Sequence, residues 1–301
     1  MIRHIKTPSI KALKGRYPFR LATTSFIHPA GWAENVARLA PCLDEVELLF
    51  FESRSPGSLP DEAELNRLAQ LAAEYDLTYT IHLPVDVDLG AQDRADRQLA
   101  VKTLSGIYFN TARLPVSSYT LHLAYPAEAP RQEEDVHRWQ ARTRQGLTAL
   151  MDAGVEHHRF SIETLDYPFE WAAPLVESLD LRVCLDIGHL IIYADKSSAA
   201  DANSAADTGS ATDGESARAN LTAALDRYLH RTTVIHLHGV KGAKDHRPLD
   251  DLDDDLLKMV IGRLQRHGYA ASLSLEVFGL KALERSLACF ATAWDDIKGN
   301  R

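Results

Sequence analysis

Short apolar runs alternate along the chain with longer stretches whose apolar residues recur at helical spacing, the pattern of β/α units built on a parallel sheet. Eight runs predict strands: Leu21 to Ile27, Glu45 to Phe51, Leu77 to Leu83, Ser117 to Leu123, Arg159 to Glu163, Leu181 to Ile187, Thr233 to His238 and Ser272 to Phe278. Between them lie amphipathic segments such as Asp61 to Tyr75, whose acidic first turn suits the positive end of a helix dipole. A doubly wound sheet alternates in the same way but normally with fewer strands. Eight units therefore predict an α/β chain closed into a single-domain (β/α)₈ TIM barrel.

Parity within the runs sharpens that expectation, because alternate strand residues face the barrel interior and the surrounding helices. Tyr79, Ile81, Tyr119, Leu121, Phe160, Ile162, Val183, Leu185, Ile235, Leu237, Leu273 and Leu275 form the helix-facing set. The other set is small or polar, and each series ends in a side chain able to bind metal. It runs Thr78, Thr80, His82; Ser118, Thr120, His122; Ser161, Glu163; Cys184, Asp186; Val234, His236, His238; and Ser272, Ser274, Glu276.

Two segments fall outside the repeat. Residues 1–19 are basic and carry Pro8, Gly15 and Pro18, which predicts an irregular N-terminal extension. Residues 195–218 contain no large apolar side chain and are expected to be a disordered, low-complexity loop insertion. The barrel proper is placed at 20–298, and without the two segments about 258 residues remain, close to the ~250 of one such barrel.

Composition narrows the function classes. Hydrophobic residues make up 45% and charged residues 25%, which excludes a wholly disordered chain or a coiled coil. Lys and Arg number 33 against 42 Asp and Glu, a net charge of -9, so no general basic face for nucleic acid is expected. No apolar run approaches the ~20 residues that span a bilayer, and MIRHIKTPSIKALKG lacks a signal-peptide core, so no membrane partner and a cytoplasmic location are expected. Cys42, Cys184 and Cys289 show no C-x-x-C pairing and read as reduced thiols. Oligomeric state is left open.

The chemistry lies in the 13 histidines and their acidic companions. His82, His122, Glu163, Asp186, His236 and Glu276 stand at the C-terminal tips of six runs, where barrel enzymes place their catalytic groups. Any one of them alone reads as a satisfied structural histidine or a helix-capping acid. Six on one parity and one end require a cation or partners, since unpaired interior charge is costly. Imidazole with carboxylate suits zinc foremost, with manganese, iron or cobalt as alternatives. Gly188 in Asp186-Ile187-Gly188-His189 is expected to make a tight turn that returns His189 to the same mouth.

The motifs LTYTIHLP, SYTLHL, FSIET, CLDIGH, VIHLHG, KDHRPL and SLEVFG, spread from about Leu21 to Trp294, resemble the xylose-isomerase-like or apurinic-site endonuclease type 2 superfamily. In its trinuclear-zinc members the matching positions imply His82, His122, Glu163, Asp186, His189, His236, His246 and Glu276 as ligands, with Glu163 bridging two metals. A ninth ligand, an aspartate two residues before the KDH histidine, is matched by Lys244, which puts the third of two or three ions in question. Asp245 and His238 are the candidates to replace it; His238 also reads as a substrate contact or as support for a ligand.

Two reaction classes share the scaffold. By the same resemblance, sugar isomerases and epimerases use one metal on the positions of Glu163, Asp186, His236 and Glu276, while phosphodiester hydrolases add the histidines matching His82 and His122. Enolisation needs one Lewis acid, whereas phosphoryl cleavage must neutralise nonbridging oxygens and supply a nucleophile near neutral pH, so the extra histidines favour hydrolysis. Glu163, Glu276 and His189 are the expected catalytic groups.

The acidic balance favours a small phosphoester, for which Lys241, Lys244, Arg247 and His238 are candidate contacts. Thr23 to Ile27 with Pro29, DIGH and HLHG are most similar to cobamide-remodelling phosphodiesterases, implying a corrinoid substrate cleaved to cobinamide phosphate and a nucleoside. A mononuclear-metal sugar or sugar-phosphate isomerase, and a non-catalytic cobamide-binding protein, are the alternatives. Glu47 and Glu52 read as solvated or capping acids, Trp32 and Tyr125 as an apolar wall or loop packing, and Asp250 to Asp255 as the acidic start of a helix.

Overall fold

The computed structural model describes residues 12–126, 129–204 and 213–299, and in it the eight predicted runs become eight parallel strands of one closed barrel. In chain order the elements are β1 (Arg20–Thr24), α1 (Trp32–Leu39), β2 (Glu45–Leu49), α2 (Glu62–Tyr75), β3 (Thr78–His82), α3 (Arg94–Asn110), β4 (Val116–Leu121), α4 (Glu133–Asp152), β5 (Phe160–Glu163), α5 (Ala173–Ser178), β6 (Arg182–Asp186), α6 (Ile187–Ser204), α7 (Asp213–Tyr228), β7 (Thr232–Leu237), β8 (Gly239–Lys241), β9 (Lys244–Arg247), α8 (Asp254–Arg266), β10 (Ser272–Leu275) and α9 (Leu280–Gly299). The barrel order is β1-β10-β7-β6-β5-β4-β3-β2, closed by β1 pairing with both β2 and β10. Seven of the eight predicted strands overrun at their C-terminal ends, where the chain leaves the ladder for the loops or, after β6, for α6; the fifth ends at Glu163 as expected.

Local chemistry accounts for the element boundaries. The Asp61 side chain accepts a hydrogen bond from the Glu64 N–H at 2.8 Å and starts α2, and Asp253 does the same for Leu256 at 3.0 Å in α8. The acidic run before α8 is thus a cap, with Asp250 and Asp251 paired to Arg285. Asp76 ends α2 in the left-handed region at φ 49.

Parity holds through the barrel. Tyr79, Ile81, Tyr119, Phe160, Ile162, Val183, Leu185, Ile235, Leu237 and Leu273 are buried in the apolar core shared with the helices. Thr80, Ser118, Thr120, Ser161, Ser272 and Ser274 are also buried and belong to the opposite parity. The alternation slips at the start of β7, where the Thr233 hydroxyl meets those of Ser161 and Ser118 beside an irregular β6–β7 register.

Three departures from expectation have physical causes. Residues 12–19 are irregular but docked: Tyr17 and Phe19 stack at 5.4 Å and meet Phe290 and Trp294 of α9 edge-on, while residues 1–11 lie outside the described residues. The insertion expected over 195–218 is flanked by helix, since α6 continues to Ser204 and α7 begins at Asp213; its alanines favour helix where it adjoins formed turns, and residues 205–212 lie outside the described residues. After β7 the chain forms an antiparallel hairpin, β8–β9, instead of a plain loop. Cys42 and Cys184 are buried and the described residues contain no disulfide. Among the described residues no helix is long and apolar enough to cross a membrane.

Glu45 is fully buried inside the barrel and gathers Arg20, Thr78, Ser117 and Ser272 from four other strands or strand edges. Removing that acceptor orphans several donors at once. Glu45→Ala is expected to lower the free energy of unfolding by about 1–3 kcal/mol, read from the denaturant midpoint at unchanged slope; an unshifted midpoint would show the cluster to be dispensable.

Candidate metal centre

The six strand-tip residues converge at one end of the barrel. Glu163 is the hub, 1% exposed at the end of β5. Its Oε2 lies 3.2 Å from His82 Nε2 and 2.9 Å from His122 Nε2, while its Oε1 lies 3.4 Å from His189 Nδ1 and 3.5 Å from His236 Nδ1. His82 Nδ1 donates to the Leu83 carbonyl at 3.0 Å, which turns Nε2 toward the carboxylate.

Asp186 closes the opposite side. Its Oδ1 accepts the His189 N–H at 2.7 Å, capping α6, which begins at the next residue. His189 therefore reaches the mouth from the first turn of a helix. Gly188 lies within that helix instead of in a tight turn, and the reason for glycine is a close approach: an added Cβ would lie 1.9 Å from His238 Cε1. His238 Nε2 is 3.2 Å from Asp186 Oδ1, and its Nδ1 accepts the His246 N–H at 3.1 Å. Both ring nitrogens are thus engaged with residues that reach the centre. The hairpin carries His246 back to Glu276, Nδ1 to Oε2 at 3.7 Å, with His246 in the left-handed region at φ 48.

The donor atoms form three principal groups in which all ligand atoms lie within 4.8 Å of one another: His82, His122 and Glu163; Glu163, Asp186, His236 and Glu276; and His189, Asp245 and His246. His238, His246 and Glu276 form a further overlapping group. Asp245 Oδ2 is 3.7 Å from His189 Nε2, so the residue after exposed Lys244 supplies a carboxylate to the third group. Cys184 lies near Glu163 and His236, but burial pushes its thiol well up, which keeps it protonated and a poor ligand.

Whether these residues suit a cation is tested by two atoms. Among the described residues, His236 Nδ1 and Glu276 Oε2 are buried without a hydrogen-bond partner, although they lie 3.1 Å apart. Desolvated polar atoms facing a common point are unfavourable in a packed interior and favourable around a divalent ion. The mixed imidazole and carboxylate donors suit zinc, manganese, iron or cobalt.

Electrostatics agree with that reading. Burial opposes ionisation of Glu163, yet His122 and His236 hold its carboxyl well below the usual range; Asp186 is likewise held down by His189 and His238 against burial. Glu276 is lowered by His236 despite its burial. The histidines move the other way: against burial, Glu163 raises His82, and Asp186 with Asp245 and Glu163 pushes His189 up to about 12. Burial opposes a proton on His236, yet Cys184, Glu276, Glu47 and Glu163 around it raise it well above its ordinary value.

Glu47 differs from the solvated role read in the sequence. It is fully buried, and its carboxylate accepts from His236 Nε2 at 2.9 Å and from the Ser274 hydroxyl at 2.7 Å. This contact leaves His236 Nδ1 to face the centre. Glu52 is exposed and bonded to Ser55. Lys241 and Lys244 pair across the exposed hairpin, and Arg247 is held by Asp251 at 3.0 Å. Tyr125 is packed among Trp139, Tyr167 and Trp171, whereas Trp32 lines a cavity at the mouth.

Comparison with known proteins places the fold. The family model of xylose isomerase-like TIM barrels matches residues 36–293. Among solved structures, a D-tagatose 3-epimerase-like protein aligns at a TM-score of 0.70 with 13% identity, covering 94% of this chain and 99% of the other. Endonuclease IV from Thermus thermophilus aligns at 0.64 with 21% identity, covering 92% and 99%, and L-ribulose 3-epimerase at 0.63 with 17% identity, covering 94% and 96%. No sequence among curated proteins matches the chain.

Two outcomes are expected. Glu47→Gln should weaken zinc binding by about 10–100-fold while the metal-free protein keeps its helical signal; unchanged affinity would remove Glu47 from the centre. Because His82, His189 and His236 hold protons above their ordinary range in the metal-free protein, a cation must displace them. Zinc binding should therefore release protons, and apparent affinity should rise from about pH 6 to 8. Calorimetry in buffers of different ionisation enthalpy reads the release directly, and pH-independent binding would contradict it.

Proposed function

The chain belongs to the xylose isomerase-like TIM-barrel family, and from that premise we propose that it is a metal-dependent phosphodiesterase acting on a small molecule. The observation that carries the reading is the use of both oxygens of Glu163. One oxygen faces His82 and His122 at 3.2 and 2.9 Å, and the other faces His189 and His236 at 3.4 and 3.5 Å. A carboxylate shared between two donor groups suits a polynuclear site.

The groups anchored on His82 with His122, on Asp186 with His236 and Glu276, and on His189 with Asp245 and His246 would each hold a divalent ion. Such ions supply neutralisation of nonbridging phosphate oxygens and acidification of water near neutral pH. The protein's own groups position the rest. Water adds to phosphorus, its proton passes to Glu163 or Glu276, and the phosphorus–oxygen bond to the leaving alcohol breaks. With the two groups on Glu163 filled and the third left empty, that oxygen takes a proton from His189, which is part-exposed at the mouth. Glu47 keeps His236 fixed through the cycle.

For substrate, we favour the nucleotide-loop phosphoester of a cobamide, giving cobinamide phosphate and the lower-ligand nucleoside. Support comes from the resemblance of Thr23 to Ile27, DIGH and HLHG to the cobamide-remodelling enzymes, and from the net charge of -9, which disfavours a polyanionic duplex. Lys241, Lys244 and Arg247 would serve as outer contacts for the phosphate.

A second reading has its own observation. Glu163, Asp186, His236 and Glu276 form a complete four-donor group, and of the three neighbours described above one is an epimerase and another an epimerase-like protein, which supports sugar epimerisation at least as well by family alone. In that chemistry the two glutamates exchange protons beside a carbonyl, and His82 and His122 have no assigned part.

Incubation of the metal-replete protein with adenosylated cobamides and with a panel of ketoses, products resolved by mass, separates the two. Cobinamide phosphate and nucleoside are expected from the cobamides, and His122→Ala should lower turnover at least about 100-fold without loss of helical signal. Ketose epimerisation that survives His82→Ala and His122→Ala would select the second reading.

A further inference from the structure

Beside the metal centre lies a cavity of about 380 Å³ between the segments that follow β1 and β2, lined by Phe26, Trp32, Leu49, Phe51 and Glu52 among others. That volume lies within the ~300–1,000 Å³ of small-molecule sites. Its inner wall is Phe51, whose ring stands 5.4 Å from that of His82. Phe26 continues the wall outward, 6.0 Å from Phe51 with the two planes only 20° apart. Phe278 meets Phe51 edge-on at 6.2 Å and His246 at 5.1 Å. Phe26 is 45% exposed and Phe278 43%. Phe26 and Phe278 both adjoin Phe51, so the exposed rings form one contiguous apolar patch at the rim of an otherwise ionic centre, the kind of patch that marks a ligand-binding groove.

The chemistry of the lining defines the occupant. It contains no basic side chain and one acid, Glu52, so a phosphate would be repelled. Its polar side chains are few and each already makes one bond: Ser25 Oγ accepts from the Leu49 N–H, Trp32 Nε1 donates to the Leu49 carbonyl, Ser58 Oγ donates to the Ser55 carbonyl, and Glu52 accepts from Ser55. A sugar would leave most of its hydroxyls without partners. A flat ring needs only an apolar face, and its N–H edge can reach the remaining oxygen of Glu52. We infer that this cavity is the subsite for a neutral, planar heteroaromatic ring, the base of a nucleoside whose phosphate lies over the histidine–carboxylate cluster. The inference deepens the phosphodiesterase reading and rests on it for the phosphate end of the ligand. Phe26 is then a specificity-determining residue, stacking on the base without touching the reacting atoms.

The test is a calorimetric titration of the full chain with adenosine and with ribose, without added metal, so that base binding is read apart from turnover. Adenosine should bind and ribose should not; Phe26→Ala should weaken adenosine about tenfold, and Phe26→Trp should restore it. Phe26 is exposed, so the unfolding midpoint should not move. In turnover of a cobamide carrying adenine, Phe26→Ala should raise KM about tenfold at nearly constant kcat. Equal binding of adenosine by wild type and Phe26→Ala, or ribose binding as well as adenosine, overturns the subsite. Base binding that depends on Phe26 in a protein that hydrolyses no cobamide upholds the subsite while removing the cobamide as substrate; hydrolysis with KM unmoved by Phe26→Ala does the reverse.

Discussion

The constraint on which this structure depends is the concentration of negative charge inside one end of a closed barrel. Glu47, Glu163, Asp186 and Glu276 are all at most 3% exposed, and their oxygens converge through His236. Ionised carboxylates removed from water must be compensated, or they protonate. Here the compensation is a shell of imidazoles, each bound to at least one acid. The acids raise His82, His189, His236 and His238 against burial, so these imidazoles carry the compensating charge in the metal-free barrel. The same demand explains Gly188: His238 must approach the helix that starts just after Asp186, and no side chain fits between them. Fold and site are therefore one electrostatic problem, in which backbone closure holds acids together and the site chemistry makes their proximity tolerable.

Much of this was legible because strand parity and strand ends are local properties. The interior series Thr78, Thr80, His82 and Ser272, Ser274, Glu276 needs no knowledge of tertiary contacts, only the period of two and the rule that barrel function sits at the C-terminal tips. Glu47 escaped because its partner His236 is 189 residues away, and an acid near a strand end looks like a solvated residue when read alone. Its signal was nevertheless present, since EVELL alternates acids with apolar residues as the other strands alternate threonine and serine. Gly188 was assigned to the right residue for the wrong reason, because a close approach by His238 leaves no mark in local spacing. The hairpin was missed for a different cause: three- and four-residue strands are too short to show a period.

The position of Asp245 shows how the centre tolerates a sequence change. Where the resemblance implies an aspartate, this chain has Lys244 at an exposed position, and the adjacent residue turns its carboxylate toward His189 instead. In a strand such a shift would send the side chain to the other face. On a short hairpin next to a left-handed His246, the backbone is not bound by that alternation, and a neighbour can supply the donor. The hairpin thus offers a third donor group built on a local geometry of its own, while the two groups anchored on Glu163 depend on the barrel.

The rim is asymmetric in a way that bears on substrate size. On the β1–β2 side it is aromatic and carries the acid Glu52; on the hairpin side it carries Lys241, Lys244 and Arg247, of which Arg247 is already neutralised by Asp251. A duplex nucleic acid needs cations along an extended track to replace its counterions, and a wall of phenylalanines on one flank interrupts any such track. A molecule with a single phosphate at its middle and dissimilar ends fits this division better: anionic centre over the donors, flat apolar end against Phe26 and Phe51, remaining bulk toward solvent. The same asymmetry is hard to reconcile with a free ketose, whose hydroxyls are distributed around the whole molecule and would meet aromatic carbon on one side. Rim composition and donor count are independent features of the chain, and the proposed reading, a phosphodiester joining unlike groups, draws on both.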